Sequence, residues 1–309
     1  MAARQPRPSS NVRVLTVGRH PGPRHRLPGV AGVDSGGEGG VPSTLSEIED
    51  VWRGVLLGTD PRYRDSRTLF TRLPGNPRCY MCSAPFKGPG SIVARRMGRK
   101  PWAKNPHYCS MCFSMLETQH GGAEIDCTLL FADVRGSTAL AETMRPADFR
   151  ALLNRFYEAA AEVLHENEAI LDKFVGDEVV AIFIPALSGE RHAARAVLTG
   201  QALLRATGHG DPDGPWLPIG IGVHSGIAYV GAVGEGPSTT MTALGDTVNV
   251  AARLASSAGA GERLVSDEAA RAADLELGEY ERRDLDLKGK SELVPVIVLR
   301  VGSQAAAPA

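Results

Sequence analysis

The sequence of 309 residues has almost no net charge, few aromatic residues and no long hydrophobic run. Its formal net charge of −1 provides no overall field that would draw nucleic acid or an anionic membrane. The longest apolar run, 179–187, falls far short of the roughly 20 residues that a membrane-spanning helix requires. We therefore expect a soluble protein without a membrane span, and the 43% of hydrophobic residues can form a large core.

Cysteine is scarce. Five cysteines are present, and four of them form two CxxC pairs, Cys79–Cys82 and Cys109–Cys112. Such pairs are typical of metal ligands in a reducing compartment and not of a disulfide framework. The basic N-terminus, which has no acidic residue before Asp34, also lacks the hydrophobic segment and the cleavage site of a signal peptide. Both observations predict a cytoplasmic protein.

Changes in composition divide the chain into five predicted segments. The first is rich in Pro, Gly, Arg and Ser without apolar periodicity, and the second contains a helix from Ser46 to about Leu57 behind a serine cap. The segments are a disordered leader 1–43, a short helical segment 44–70, a cysteine module 71–120, a domain of strands and helices 121–302 and a disordered tail 303–309.

The domain 121–302 alternates strand and helix patterns. The predicted elements are strand 125–132, helix 146–165, hairpin 173–184 with its turn at Gly176-Asp177, helix 190–206, a strand pair within 217–233, helix 246–256 and strand 293–301. Hairpins in place of uniform crossovers favour an α+β sandwich, with helices packed on a mainly antiparallel sheet.

Two acidic residues stand at the rims of predicted buried strands. Asp133 ends the run LLFAD, and Asp177 lies in the Gly-containing turn of LDKFVGDEVV. Paired carboxylates can hold Mg²⁺ or Mn²⁺ and leave coordination positions open for phosphate oxygens. From the residues alone, a turn-forming Asp177 and a strand-capping Asp133 remain an alternative. The turn that follows Asp133 leads into a helix, whose free amides at 136–138 would suit a polyphosphate.

Four stretches taken together are more specific than either acid. They occur in the order LLFADVRGST, LDKFVGDEVVAIF, IGIGVHSGIAYVGAVG and TALGDTVNVAARL. With these motifs the sequence resembles the class III nucleotidyl cyclase catalytic domain from about Glu124 to Arg300. The resemblance implies the ferredoxin-like α+β sandwich of that family.

The resemblance also implies roles for individual residues. Asp133, Asp177 and the carbonyl of Val134 would bind two Mg²⁺ or Mn²⁺ ions in each active site. Lys173 matches the lysine that reads adenine, and Thr242 occupies the second base-selecting position. Threonine there looks like the bicarbonate-responsive adenylyl cyclases. The predicted substrate-binding and transition-state residues are Lys173, Thr242, Gly136, Ser137, Thr138, Asn249 and Arg253.

The implied reaction is attack of the ribose 3′-oxygen of ATP on the α-phosphorus, which releases pyrophosphate and forms cyclic AMP. Asn249 and Arg253 stand at i and i+4, so both side chains leave the same face of a helix. No His or Glu is required as general base, because Asp133 or solvent can take the proton, and we expect His224 to be structural. In the family the site is shared between protomers, which implies a head-to-tail homodimer.

The two CxxC pairs predict a separate metal site of the zinc-ribbon type. Cys79, Cys82, Cys109 and Cys112 suit one structural Zn²⁺, and a rubredoxin-like iron site would use the same ligands. Cys127 reads as a core residue. Between residues 71 and 115 there are eight Lys or Arg and no acid.

The predicted basic face of this module comprises Arg95, Arg96, Arg99, Lys100 and Lys104, with Trp102 on it. Such a face could bind nucleic acid or an acidic protein partner, or the module could simply pack on the catalytic domain with its charges solvated. Two alternatives to an adenylyl cyclase therefore remain. One is an adaptor in which this module does the binding and the cyclase-like domain is an inactive scaffold; the other is a guanylyl cyclase.

Overall fold

The computed structural model describes residues 44–302 apart from 104, 119, 235–238 and 288–291. The predicted leader 1–43 and tail 303–309 lie outside the described residues. All described residues belong to one compact unit. The helices are α1 (Leu45–Leu57), α2 (Pro61–Thr71), α3 (Gly90–Arg96), α4 (Ser110–Thr118), α5 (Ser137–Thr143), α6 (Pro146–Glu166), α7 (Pro185–Ser188), α8 (His192–Ala206), α9 (Asp246–Ser257) and α10 (Asp267–Ala272).

One sheet lies at the centre of the structure. Its strands are β1 (Gly122–Val134), β2 (Ile170–Val175), β3 (Glu178–Phe183), β4 (Ile219–Val233), β5 (Thr240–Leu244), β6 (Glu262–Ser266), β7 (Glu281–Leu285) and β8 (Val294–Arg300). Among the described residues they run in the order β2-β3-β1-β4-β6-β8-β7, with β5 paired to β4. The β4–β6 pair is parallel and the other pairs are antiparallel. The predicted α+β fold with a mainly antiparallel sheet is confirmed.

The central strand β1 supplies apolar side chains to both faces of the sheet. Leu129 and Phe131 join the core cluster under α1 and α9, whereas Leu130 and Ala132 join the cluster under α6 and α8. This division follows from the two-residue period of a strand. Because both faces of β1 are covered, its sequence is a nearly continuous apolar run. Asp133 is the acidic residue at the end of that run.

The predicted strand pair within 217–233 is wrong, because these residues form the single strand β4 of 15 residues. Its glycines suggested an interruption, but they mark places where a helix approaches the strand closely. A Cβ atom at Gly222 would collide with the backbone of α9 at Ala251 and Ala255. One at Gly220 would lie 2.8 Å from the carbonyl oxygen of Ala258. The glycines thus allow α9 to pack against β4.

The N-terminal helical segment consists of two helices, which Gly58 separates in a left-handed conformation with φ of 73°. Helix α1 begins at Leu45 and its N-cap is Thr44, two residues before the predicted serine cap, because Thr44 and Glu47 form a capping box. The Thr44 hydroxyl accepts from the Glu47 amide at 3.2 Å, and the Glu47 carboxylate accepts from the Thr44 amide at 3.1 Å. Trp52 of α1 is fully buried against the sheet cluster.

Candidate active site and cysteine cluster

The two predicted metal-binding acids meet at one rim of the sheet. Asp133 is the penultimate residue of β1 and pairs in register with Glu178, the first residue of β3. Asp177 lies in the tight turn between β2 and β3, and its carbonyl accepts a hydrogen bond from the amide of Val134 at 3.2 Å. The antiparallel register therefore brings the ends of two separate motifs together.

Acidic groups crowd this rim. Burial raises the pKa of Asp133, Arg135 counteracts that effect, and Asp177 adds to it. Burial and the charges of Asp133 and Asp177 raise the pKa of Glu178 to about 7. Glu178 was not among the predicted site residues, although it follows Asp177 directly. Three neighbouring carboxylates, those of Asp133, Asp177 and Glu178, concentrate negative charge at this rim and favour a cation.

Arg135 is the cation that meets Asp133 in this structure, through an ion pair between its guanidinium and the carboxylate. The same guanidinium donates to the carbonyl oxygens of Ser256 at 2.9 Å and Ala258 at 3.3 Å, at the C-terminal end of α9. A positive charge is favourable at that end of a helix. Arg135 therefore connects the acidic rim to α9.

The donor set at the rim fits Mg²⁺ or Mn²⁺. Asp133 and Asp177 provide hard carboxylate oxygens, and Val134, whose carbonyl is the third predicted donor, is the last residue of β1. A divalent cation would also relieve the repulsion that raises the pKa of Asp133.

The predicted phosphate-binding turn begins at Gly136, which is in the left-handed region with φ of 71°. Glycine adopts this conformation without strain. Gly136 is the N-cap of α5, and no side chain caps this helix end. Ser137 is half-buried and Thr138 is exposed. The turn therefore presents backbone amides next to the acidic rim.

The two predicted base-reading residues contact each other. Lys173 on β2 donates through Nζ to Thr242 Oγ1 on β5 at 3.4 Å. A third residue, Asp172, which sequence reasoning did not single out, accepts from the Thr242 hydroxyl at 2.7 Å. In the sequence, Asp172 stands out only as an acidic residue next to Lys173 in a predicted strand. Two distant segments thus form one polar cluster.

Asn249 and Arg253 both lie on α9, as predicted. Val250 and Leu254 of this helix are buried, whereas Asn249 is exposed and Arg253 is half-buried. Within the part of the chain that the structure describes, neither Asn249 nor Arg253 forms a hydrogen bond or ion pair with the two aspartates. The structure therefore brings together the two acids, and separately Lys173 and Thr242, whereas Asn249 and Arg253 form no hydrogen bond or ion pair with the acids among the described residues.

Two other predicted residues have structural contacts. His224 lies on β4, and its Nδ1 is 2.8 Å from the Ser266 hydroxyl. Cys127 is buried on β1, and burial raises the pKa of its thiol to about 12. The structural interpretation of both residues agrees with these positions.

The four paired cysteines form a compact buried cluster. The ligand atoms of Cys79, Cys82, Cys109 and Cys112 all lie within 4.8 Å of one another. The Cys109 amide donates to Cys79 Sγ at 3.2 Å, and the Cys112 amide donates to Cys109 Sγ at 3.4 Å. Four thiolates within such distances suit a tetrahedral metal ion.

The predicted basic face is correct only in part. Arg95, Arg96 and Lys100 are exposed, and Lys104 lies outside the described residues. Arg99 instead turns inward, with Nη1 at 3.6 Å from Cys112 Sγ. Trp102 stacks on Phe113 with ring centroids 5.5 Å apart, so the aromatic residue packs in the module and not on its basic surface.

Arg67 of α2 joins the cysteine module to the sheet domain. Its guanidinium donates to Glu168 Oε1 at 2.8 Å and to the Leu187 carbonyl at 3.3 Å on the sheet side. On the module side it donates to Ser83 Oγ at 2.7 Å. Only 15% of the Arg67 side chain is exposed.

No helix among the described residues has the length and apolar character needed to cross a bilayer.

Comparison with known proteins shows which proteins have similar sequences and folds. The chain is 34% identical over 133 residues to an adenylate cyclase of Anabaena cylindrica, which is 41% of this chain and 26% of that protein. It is 30% identical over 148 residues to adenylate cyclase 1 of Rhizobium meliloti, or 45% of this chain and 22% of that protein. The chain thus matches about a quarter of the length of these relatives.

Among solved structures, the guanylyl cyclase Cya2 is similar with a TM-score of 0.52 and 29% identity, over 60% of this chain and 97% of that one. Residues 122–299 match the model of the adenylate and guanylate cyclase catalytic domain. This range is more than half of the chain and includes the acidic rim, the base-reading pair and α9. The chain therefore belongs to the adenylate and guanylate cyclase catalytic domain family.

Proposed function

We propose that this protein is an adenylyl cyclase, which converts ATP to 3′,5′-cyclic AMP and pyrophosphate in intracellular signalling. The observation that carries the proposal is the convergence of Asp133 and Asp177 at one rim of a cyclase-family sheet. The contact between Lys173 and Thr242 supports ATP as the substrate, because the family resemblance makes these residues the base-reading pair.

The catalytic roles follow from the chemistry of the side chains. Two divalent ions held by Asp133, Val134 and Asp177 would acidify the ribose 3′-hydroxyl and neutralise the polyphosphate. The amides of the turn that begins at Gly136 bind phosphate oxygens. Arg253 offers a planar, permanently charged donor array to the reacting phosphorus, and Asn249 orients the ribose through neutral hydrogen bonds.

We further propose a head-to-tail homodimer with two shared active sites. In each site one protomer contributes the two aspartates, and its partner contributes Lys173, Thr242, Asn249 and Arg253. Among the described residues neither Asn249 nor Arg253 pairs with the aspartates of its own chain, which supports this division. We also propose that bicarbonate stimulates the activity, because Thr242 resembles the threonine of the bicarbonate-responsive subgroup. Activity that does not change with bicarbonate concentration at constant pH would contradict this proposal.

The decisive experiment is a cyclisation assay of the purified protein with Mn²⁺ and either ATP or GTP. We expect cyclic AMP from ATP, and a loss of at least about 100-fold in Asp133→Asn and Asp177→Asn, because each removes a charge that the reaction requires. Asp126→Asn, an exposed acid on the same strand, is the matched control. Preference for GTP would establish the guanylyl cyclase alternative. No product from either nucleotide, together with salt-sensitive nucleic-acid binding, would establish the adaptor.

We also propose one structural Zn²⁺ in the cysteine cluster, in a protein of a reducing compartment. A module this small needs its metal ion to fold. Removal of the metal by a chelator should therefore open residues 71–118 to limited proteolysis while the sheet domain resists. Metal analysis of the same sample distinguishes zinc from iron. An unchanged cleavage pattern after the metal has been removed would contradict a structural role.

A further inference from the structure

The strand that carries the base-reading lysine is irregular at one residue. In the β2–β3 ladder, Leu171 pairs with Ala181 and Lys173 pairs with Val180, so Asp172 is an extra residue without a partner of its own. A bulge of this kind redirects side chains. In a regular strand Asp172 and Lys173 would point to opposite faces, whereas here both reach Thr242.

The three side chains form a closed polar cluster. Thr242 Oγ1 lies 2.7 Å from Asp172 Oδ2 and 3.4 Å from Lys173 Nζ, and Lys173 Nζ lies 3.5 Å from Asp172 Oδ2. Only 2% of the Asp172 side chain is exposed, compared with 48% for Lys173. Burial raises the pKa of Asp172, whereas the Thr242 hydroxyl and the Lys173 ammonium favour its ionised form. The Asp172 carboxylate is thus buried, Thr242 is 5% exposed, and Lys173 is the most exposed member of the cluster.

This arrangement determines the direction of the hydrogen bonds. An ionised carboxylate can only accept, so the single hydroxyl proton of Thr242 points toward Asp172. The Thr242 oxygen then has only lone pairs for other partners, and Lys173 has only N–H donors. A base that faces this pair must donate to Thr242 and accept from Lys173. Adenine has an amino donor at its 6-position, whereas guanine has a carbonyl acceptor there.

We propose that Asp172 is a specificity-determining positioning residue, which makes the Thr242 oxygen an acceptor and so selects a 6-amino purine nucleotide over a 6-oxo one. Asp172 acts through Thr242 and does not touch the nucleotide. The inference rests on the proposed function, since it assigns a cause to the base preference of that site.

The test compares ATP with inosine triphosphate, which carries a 6-oxo group and lacks the 2-amino group of guanine. In Asp172→Asn the side-chain amide can donate to Thr242, and the hydroxyl can then donate outward. We expect the ratio of kcat/KM for ATP to that for inosine triphosphate to fall about tenfold, mainly through KM, because one hydrogen bond changes from favourable to mismatched. Asp126→Asn should leave the ratio unchanged.

A second substitution distinguishes positioning from a general structural effect. Thr242→Asp in the Asp172→Asn background supplies an acceptor without help, so the double variant should regain the preference for ATP. Thr242→Asp alone places two carboxylates together and should bind ATP more weakly than the double variant. If Asp172→Asn does not fold, Asp172→Ser occupies less space and should show the same loss.

The outcomes separate this inference from the proposed function. A wild-type protein that cyclises no nucleotide contradicts the proposed function. A wild-type protein that prefers ATP, with Asp172 variants that keep the wild-type ratio within about threefold, overturns the role of Asp172 alone. Absence of rescue in the folded double variant also overturns it.

Discussion

The Glu262 carboxylate on β6 binds groups from three other parts of the fold: β7, β8 and the segment that precedes β6. Its two carboxylate oxygens accept from Arg283 of β7 at 2.8 Å each, and Arg300 of β8 donates to one of them at 2.6 Å. The Gly259 amide donates to the same carboxylate at 3.0 Å. These partners lower the pKa of Glu262 to about 2, and hydrogen bonding to Arg283 is the largest cause.

The depressed pKa predicts how stability depends on pH. The stabilisation is complete above the ordinary pKa of 4.5 and is lost as pH falls toward about 2. Glu262→Gln should lower the free energy of unfolding by about 1–2 kcal/mol at pH 7, a figure reduced for screening of the partly exposed arginines. Urea titrations at pH 7 and pH 3 measure it, and the variant should lose less stability on acidification than the wild type.

Glu281→Gln is the control, because Glu281 pairs with the same arginines from an exposed position. It should leave the acid dependence near that of the wild type. An equal effect of both substitutions would show that the network, and not Glu262, causes the acid dependence.

At the scale of single residues, sequence motifs predicted Asp133, Asp177, Lys173 and Thr242 as site residues but not the residues that contact them. Asp133 and Asp177 are recognisable because an acid interrupts an apolar run. No local sequence pattern reveals the contacts of the other three residues. These contacts require the bulge at Asp172, the helix end next to Arg135 and the strand register of Glu178. Their partners are far away in sequence, so only the folded structure brings them into contact.

At the scale of elements, Arg67 of α2 links the cysteine module to the sheet domain. Its side chain connects Ser83 in the cysteine module with Glu168, two residues before the start of β2, the strand that carries Lys173. Glu168 also accepts from Arg195 of α8 at 2.8 Å. The position of β2 is therefore coupled to that of the cysteine module.

Removal of the Arg67 guanidinium tests this coupling. Arg67→Ala should lower the free energy of unfolding by about 2 kcal/mol, because it leaves buried acceptors without their donor. Arg64→Ala, whose partner Asp65 is exposed, should cost less than about 0.5 kcal/mol. Thermal or chemical denaturation measures both, and equal losses would contradict the importance of the Arg67 bridge.

Elements with a strong apolar period were predicted well, such as α6, α9 and the β2–β3 hairpin. Short elements were not. Helices α3 and α4 lie in a segment rich in Gly, Pro and Cys, where the cysteine cluster and not periodicity organises the chain. The glycines of β4 indicated a break, since the sequence does not show which helix approaches them.

At the scale of the whole molecule, the proposed dimer makes a quantitative prediction. Asp177→Ala and Arg253→Ala should each abolish activity, and an equimolar mixture that exchanges subunits should recover about a quarter of the wild-type activity. Half of the dimers would then be mixed, and each would contain one intact site of two. Cyclic AMP formation after mixing measures the recovery.

The matched control is a mixture of Asp133→Ala with Asp177→Ala, both of which damage the metal-binding half. It should stay inactive, because no combination rebuilds a site. Equal recovery in the two mixtures, or none in either, would exclude shared sites.

The class of fold was predicted from the order of hairpins and helices, and the cyclase family was predicted from four motifs in a fixed order. The order of strands in the sheet was not. It depends on which apolar faces pack together across long sequence separations, as where β4 pairs with β1 and β6. A cysteine module packed on the sheet domain was one of the expectations, but the contacts that join them, such as those of Arg67, were not predicted.

The two contacts of Arg135 have a consequence for a protein with two centres. In the proposed dimer, the aspartates and α9 of one chain serve different centres, and Arg135 touches both. If Asp133 binds a metal ion, Arg135 would keep carbonyl oxygens as its partners, among them those at the end of α9. Arg135 would then link the two centres of the proposed dimer, and we expect initial velocity to depart from a simple hyperbola as nucleotide concentration rises.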